Sequence, residues 1–158
     1  MPTGLQLRRA HPSDIDQLEE LEFDCFDEDA FSRRRWRHLL QSPSTHTWVL
    51  EETGPPCVEG QLLLGYAMLL TRANSQRARL YSLAVHPAAR ASGNGRRLLK
   101  RLEETAMALG CHDIVLEVRA DNRPARALYR KTGYSLNRWV DDYYSDGCAA
   151  WRMLKTLP

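Results

Sequence analysis

Long hydrophobic runs are missing from this chain. No stretch of about 18 apolar residues occurs, so no membrane-spanning helix is expected. The start, Met1-Pro2-Thr3-Gly4, lacks the basic segment and apolar stretch of a secretory signal, so a cytoplasmic protein is expected. Cysteine is scarce: Cys25, Cys57, Cys111 and Cys148 lie 32, 54 and 37 residues apart, with no CxxC pair and no zinc spacing. Neither a disulfide framework nor a metal site is expected, and the thiols read as buried or incidental in a reducing cytosol. An excess of one charge is absent too. Lys plus Arg number 22 and Asp plus Glu 20, a net +2 that argues against a dedicated duplex-binding surface. Repeats and low-complexity segments are not found. The 158 residues suit a single domain with one core, over residues 1–158.

What is present alternates between strand and helix patterns. Leu5 to Arg8 reads as a first strand. From Ser13, Ile15, Leu18, Leu21 and Cys25 recur at helical spacing, and Phe31, Trp36, Leu39 and Leu40 mark a second helix between Ser32 and Ser42-Pro43. Thr47–Glu51 and Leu62–Thr71 flank the turn residues Thr53-Gly54-Pro55-Pro56 and predict an antiparallel hairpin. Arg79–Val85 is a further strand. The stripe Leu98, Leu99, Leu102, Ala106, Leu109 predicts a helix closed by Gly110. Asp113–Arg119 follows as a strand. A helix then runs from the Asn122 cap to Gly133, with Ala125, Leu128, Tyr129 and Thr132 on one face, before strands at Tyr134–Val140 and Ala149–Leu154. The order β-α-α-β-β-β-α-β-α-β-β predicts an α/β single domain on a mixed sheet, parallel at the central strand–helix–strand unit.

The most informative stretch runs from Tyr81-Ser82-Leu83-Ala84-Val85-His86-Pro87 through Arg90-Ala91-Ser92-Gly93-Asn94-Gly95-Arg96-Arg97. A strand enters a glycine-bearing loop that opens onto a helix. Glycine permits positive φ and close approach, and the first helical N–H groups have no internal partner, so the loop suits a phosphate. It is not a GxxxxGK[ST] loop, and Leu98 stands where a dinucleotide fingerprint needs its third glycine. A tight turn without any ligand explains the glycines equally well in isolation.

Arg90-x-x-Gly93-x-Gly95 after Val-His-Pro, then Leu116-Glu117-Val118-Arg119-Ala120-Asp121-Asn122, Ala127-Leu128-Tyr129, Gly133-Tyr134 and the late Tyr143-Tyr144 occur in an order that resembles the GNAT N-acetyltransferase superfamily. The resemblance is greatest to its ribosomal-protein-alanine N-acetyltransferase subgroup. It is nearly gap-free from Leu83 to Tyr134 and weaker over the rest. It implies acetyl-CoA as cosubstrate, with Ala91, Ser92, Gly93, Asn94, Gly95 and Arg96 at the pyrophosphate, Leu83, Ala84 and Val85 along the pantetheine arm, and Asn122 in contact with the coenzyme. Glu117 takes the place of the subgroup's general base, acting through water, and Tyr129 that of the acid that protonates the leaving thiolate.

The residues by themselves leave alternatives at each of these positions. Glu117 shares its strand face with Val115 and Arg119, where a carboxylate needs a partner or solvent; Arg119 or another arginine would satisfy it without catalysis. Tyr129 falls on an apolar stripe and reads equally as core. Asn122 is also a natural helix cap. Arg96 or Arg97 is a candidate for the coenzyme 3′-phosphate, and Arg33-Arg34-Arg35-x-Arg37 is read as an exposed helix side rather than a nucleic-acid contact.

Two departures stand out. Asn94 replaces the family's usual aliphatic residue, and the segment Asp141–Ala149 is shortened and lacks the acidic residue before the last strand. The expected acceptor is a cationic amine, a protein N-terminus first and a small amine second. It is expected between Cys25–Phe31 and Tyr143-Tyr144, drawn by Asp24, Asp27, Glu28, Asp29, Asp141, Asp142 and Asp146. A coenzyme-binding module without turnover is the competing reading, and a nucleic-acid binder the least favoured. The protein is expected to act as a monomer or weak homodimer, without nucleic-acid or membrane partners.

Overall fold

The computed structural model describes residues 4–26, 30–54, 62–90 and 92–158. Pro55, Pro56, Cys57, the acidic triplet Asp27-Glu28-Asp29 and Ala91 lie outside them. Seven strands form one sheet: β1 (Leu5–Arg9), β2 (Thr45–Glu52), β3 (Leu63–Leu70), β4 (Arg77–Val85), β5 (Asp113–Arg119), β6 (Ser135–Val140) and β7 (Ala150–Thr156). Their spatial order is β1-β2-β3-β4-β5-β7-β6, antiparallel except for the parallel β4–β5 pair. Among the described residues four α-helices accompany them: α1 (Ile15–Phe26), α2 (Arg33–Gln41), α3 (Asn94–Ala108) and α4 (Arg123–Lys131). The expected order of elements, the hairpins and the parallel centre are all found.

Local chemistry sets most of the boundaries. The Ser32 hydroxyl accepts from Arg35 N at 3.1 Å and starts α2, and Asn122 accepts from Ala125 N at 3.2 Å to start α4. Gly110 and Gly133, at φ 82° and 102°, follow α3 and α4 in the left-handed region that an L side chain resists.

The helices cover both faces of the sheet. Leu98, Leu99, Leu102 and Ala106 of α3 pack with Leu50, Leu69, Leu80, Ile114, Leu116 and Met153 in one core, which also takes in Tyr129 of α4. Ile15, Leu18 and Leu21 of α1 and Trp36 and Leu39 of α2 close a second core over Val49, Tyr66, Met68 and Ala84. Strand β3 is buried almost throughout, as a strand covered on both sides must be.

Two irregularities shape the middle of the sheet. The β3–β4 register shifts between Met68 and Leu69, which pair with Ser82 and Leu80 and leave Tyr81 as the extra residue. A bulge of this kind sends two consecutive side chains to one face. Tyr81 and Ser82 both point to the α1/α2 side, where Tyr81 meets Phe31 and Ser82 meets Tyr66. Strands β4 and β5 then pair only over Arg77–Arg79 and Asp113–Val115, after which no ladder joins them. The far edge of Leu80–Val85 therefore faces a cleft rather than a neighbouring strand.

Candidate active site

Strand β4 leads to α3 through the loop that closes one end of this cleft. Gly93 is the helix cap residue, at φ 77° with no side-chain cap bond, and nothing lies within 4 Å of where its Cβ would stand. The first helical bond runs from Arg97 N to Gly93 O at 3.0 Å. The N–H groups of Asn94, Gly95 and Arg96 precede it and have no acceptor among the described residues. The helix macrodipole adds about half a positive charge there, so the turn can receive an anion. Gly95 is glycine for another reason: a Cβ would come within 3.2 Å of Leu128 Cδ2 and 4.0 Å of Val85 Cγ2. The Asn94 departure is accommodated by a hydrogen bond in place of apolar packing. Its side chain is 4% exposed, and Nδ2 donates to the Ala89 carbonyl at 2.9 Å across the loop.

Around the loop, Ser92 is exposed, and Leu83 and Val85 face α3 while the buried Ala84 faces α1. The Val85 carbonyl is engaged within the chain, accepting from Arg90 Nε at 2.8 Å. Arg96 lines a groove of about 520 Å³ with Lys100, Lys131 and Lys155. Arg97 instead donates to the Leu5 carbonyl at 3.1 Å, on the β1 side. Asn122 uses its Oδ1 as the α4 cap, which leaves its amide N–H groups available.

Across the cleft, Glu117 of β5 is 8% exposed and held by two guanidinium groups. Arg79 Nη1 donates to its Oε1, and Arg152 Nε donates to its Oε2 at 2.7 Å. Of the two possibilities, Arg119 or another arginine, the second is found: Arg119 forks instead between Asp121 at 3.1 Å and Asp146 at 2.6 Å. Residues two apart on a strand stand about 7 Å apart, whereas directly opposed cross-strand residues are about 5 Å apart. Arg152 is the register partner of Glu117 on β7 and wins on distance.

Three tyrosines continue the site. Burial, then the negative charge of Glu117, pushes the Tyr143 phenol up. Its ring meets Tyr144 edge-on at 4.9 Å. Burial pushes Tyr144 up to about 12, and raises Tyr129 further still, with Tyr144 adding to the effect. Tyr129 is therefore a protonated phenol at neutral pH, 6% exposed, and its hydroxyl has no hydrogen-bond partner among the described residues. It is a core residue whose hydroxyl keeps its proton at neutral pH.

The opposite wall comes from α1 and α2. Phe31 stacks on Tyr81 at 5.7 Å with rings 9° apart, and Arg35 donates to the Tyr81 hydroxyl. Beneath them lies a network that the sequence reading missed. Glu22, 1% exposed, accepts from the Tyr66 hydroxyl and from Phe31 N at 3.3 Å, and Tyr66 also contacts Ser82 Oγ at 2.6 Å. Burial drives the Glu22 pKa up to about 7 against these hydrogen bonds. Its signal was available, since positions 15, 18, 22 and 25 form one helical stripe.

Of the acidic residues expected to draw a cation, Asp146 is tied to Arg119 and Asp24 lies 3.6 Å from His86 Nε2. Asp16, Glu19 and Glu20 line a separate groove of about 600 Å³ with Phe23, Ala30 and Phe31, where Arg33 pairs with Asp16 and Glu19. Among the described residues no group of three or more His, Cys, Asp or Glu could hold a metal ion, and no helix is long and apolar enough to cross a membrane.

Comparison with known proteins identifies the family and the fold. The model of the Acetyltransferase (GNAT) family matches residues 14–134. A candidate ribosomal protein bS18-alanine N-acetyltransferase of Bacillus subtilis is 27% identical over 146 residues, covering 92% of this chain and 91% of that protein. Among solved structures, the ribosomal-protein-S18-alanine N-acetyltransferase of Escherichia coli superposes with a TM-score of 0.81 at 22% identity, over 97% of this chain and 94% of that one. NAA60 of Arabidopsis thaliana in complex with acetyl-CoA gives 0.83 at 17% identity, over 96% and 98%.

Proposed function

The chain belongs to the GNAT acetyltransferase family and is an acetyl-CoA-dependent N-acetyltransferase, and from that premise we propose that residues 1–158 form one domain that acetylates a protein N-terminal α-amine. Glu117 serves as general base and Tyr129 as general acid. The observation that carries this reading is the parting of β4 from β5 after Arg79 and Val115, with the uncapped start of α3 at one end of the opening and Glu117 on its wall.

In this reading the N–H groups of Gly93, Asn94, Gly95 and Arg96 receive the coenzyme pyrophosphate, with Ala91 and Ser92 completing the loop. The edge formed by Leu83, Ala84 and Val85 follows the pantetheine arm. Arg96, in a groove shared with Lys100, Lys131 and the Glu103–Lys155 pair, is the candidate for the 3′-phosphate, and the free Asn122 amide for a further polar contact. With the Val85 carbonyl taken by Arg90 and the Ala84 backbone paired to Tyr66 of β3, Leu83 offers the chief backbone contact on this edge.

The acceptor amine is largely protonated at neutral pH and has to lose a proton before it can attack. Each Glu117 oxygen accepts one guanidinium hydrogen bond and retains a second lone-pair direction for a bridging water, through which the proton leaves. The N–C bond forms as the C–S bond of the thioester breaks, and the Tyr129 hydroxyl gives its proton to the departing sulfur. Burial makes this phenol a weaker acid than an exposed one, so the transfer requires the developing thiolate within hydrogen-bond reach of the hydroxyl.

Steady-state thiol release over peptides beginning Ala, Ser or Met, polyamines, free amino acids and aminoglycosides tests the reading. Turnover with N-terminal peptides supports it. Turnover confined to small amines would replace the acceptor, and coenzyme binding without any turnover would leave a binding module.

A further inference from the structure

The floor of the proposed acceptor site is cationic, although an amine acceptor is itself a cation. Arg79 of β4 and Arg152 of β7 flank Glu117 on the α1/α2 side of the sheet, so two guanidinium groups surround one carboxylate. The Glu117 side chain is 8% exposed, but those of Arg79 and Arg152 are 39% and 28% exposed. The carboxylate is thus covered while the arginines open toward the cleft. A guanidinium has five N–H donors in a planar fork. Arg79 spends Nη1 on Glu117 and Arg152 spends Nε, and neither has a further acceptor among the described residues. Arg35 adds a third guanidinium to the same wall, beside Tyr81, two residues along β4 from Arg79.

Among the described residues, the groups around the Glu117 carboxylate carry more positive than negative charge, and a protonated amine is repelled there. That repulsion is removed when the acceptor brings an anion of its own. The unused N–H groups of Arg79 and Arg152 suit a planar carboxylate, which guanidinium groups bind through paired, charge-assisted hydrogen bonds. We infer that the acceptor carries a carboxylate immediately behind its reacting amine, received by Arg79 and Arg152, and that acidic acceptors are preferred over neutral or basic ones. This rests on Glu117 marking the transfer site. It reverses the charge preference expected from the acidic residues of the sequence.

Acetylation kinetics on matched acceptors test it. One arm compares peptides of identical sequence beginning Ala-Glu, Ala-Gln and Ala-Lys; the other compares a free amino acid with its carboxamide, which separates a side-chain carboxylate from an α-carboxylate. In at least one arm the acid should exceed its amide in kcat/KM by about tenfold or more, the value of one charge-assisted hydrogen bond. In Arg79→Gln and Arg152→Gln that ratio should fall toward unity with the acetyl-CoA Kd unchanged, whatever happens to absolute rates. Equal rates for acid and amide in both arms, or a preference for Ala-Lys, overturn the inference while leaving acetyl transfer intact. Absence of transfer to every amine overturns the proposed function as well. The ratio in the unaltered protein decides the matter even if a variant does not fold.

Discussion

On the proposed coenzyme side of the cleft, Leu83, Val85, Gly93, Asn94 and Gly95 come from one continuous stretch, whereas the proposed acceptor side draws Arg35, Arg79, Glu117, Tyr143 and Arg152 from separate segments. The first is held by local means: a left-handed glycine, a helix start, and a side chain bonded to a carbonyl five residues back. The second is held by ion pairs between residues 38 and 35 positions apart. A locally built surface tolerates changes elsewhere in the fold. One assembled across strands depends on the register of the whole sheet.

The sharpest way to separate the two sides is Glu117→Gln. The amide cannot take a proton from the amine, so kcat should fall by about 10²–10⁴-fold, the usual contribution of a general base, with acetyl-CoA affinity retained. Steady-state rates and calorimetric titration check this, and the defect should narrow as pH rises and more free amine is present. Full activity at pH 7 would place the base elsewhere.

Glu22 probes whether the proposed acceptor wall has its own titration. Its pKa is raised in the folded protein to about 7, above the ordinary value of 4.5, so the native state holds the proton more tightly than the unfolded chain. Stability from this group is fully present below about pH 4.5, declines as pH rises toward 7, and stays lost above it. At about 1.4 kcal/mol per tenfold change in proton affinity, the loss is on the order of 3 kcal/mol. Thermal unfolding from pH 5 to 8 should show Tm falling in the native protein and a flatter profile in Glu22→Gln. Parallel profiles would remove Glu22 from the account.

The two loop glycines should fail differently. Gly95→Val pushes a side chain against Leu128 and Val85, an overpacking cost of about 1–3 kcal/mol, and should lower Tm together with coenzyme affinity. Gly93→Val meets no atoms but is strained at φ 77°, by roughly 1–2 kcal/mol, and should act by distorting the anion-binding turn. Coenzyme titration beside thermal unfolding distinguishes them; identical effects of both variants on both measurements would mean that one mechanism covers the loop.

Tyr143→Ala should have the smallest effect. Tyr143 is 44% exposed and lies near Glu117, so its loss should raise the amine KM a few-fold and leave acetyl-CoA affinity nearly unchanged. A change in coenzyme affinity instead would move Tyr143 to the other side of the comparison.

What could be read before the fold was known follows the same division. The Gly93-x-Gly95 turn, the Ser32 and Asn122 caps and the stops at Gly110 and Gly133 depend on residues within a few positions of one another. Glu117 was conspicuous as a carboxylate in an apolar strand. Glu22 was legible as well, on a helical stripe with Ile15, Leu18 and Cys25, but a lone carboxylate among others on α1 is ordinarily a solvated one.

The sequence by itself determined the order of the elements, the faces they bury and the loop that suits a phosphate, because helix caps, side-chain periodicity and positive-φ glycines act over one or two turns of chain. Only the tertiary structure decided which arginines hold Glu117, that Tyr81 and Ser82 share a face, and that two guanidinium groups surround one carboxylate in the cleft. Those facts depend on sheet register, a bulge and the parting of two strands, and cross-strand distances of about 5 Å join residues that no local pattern relates.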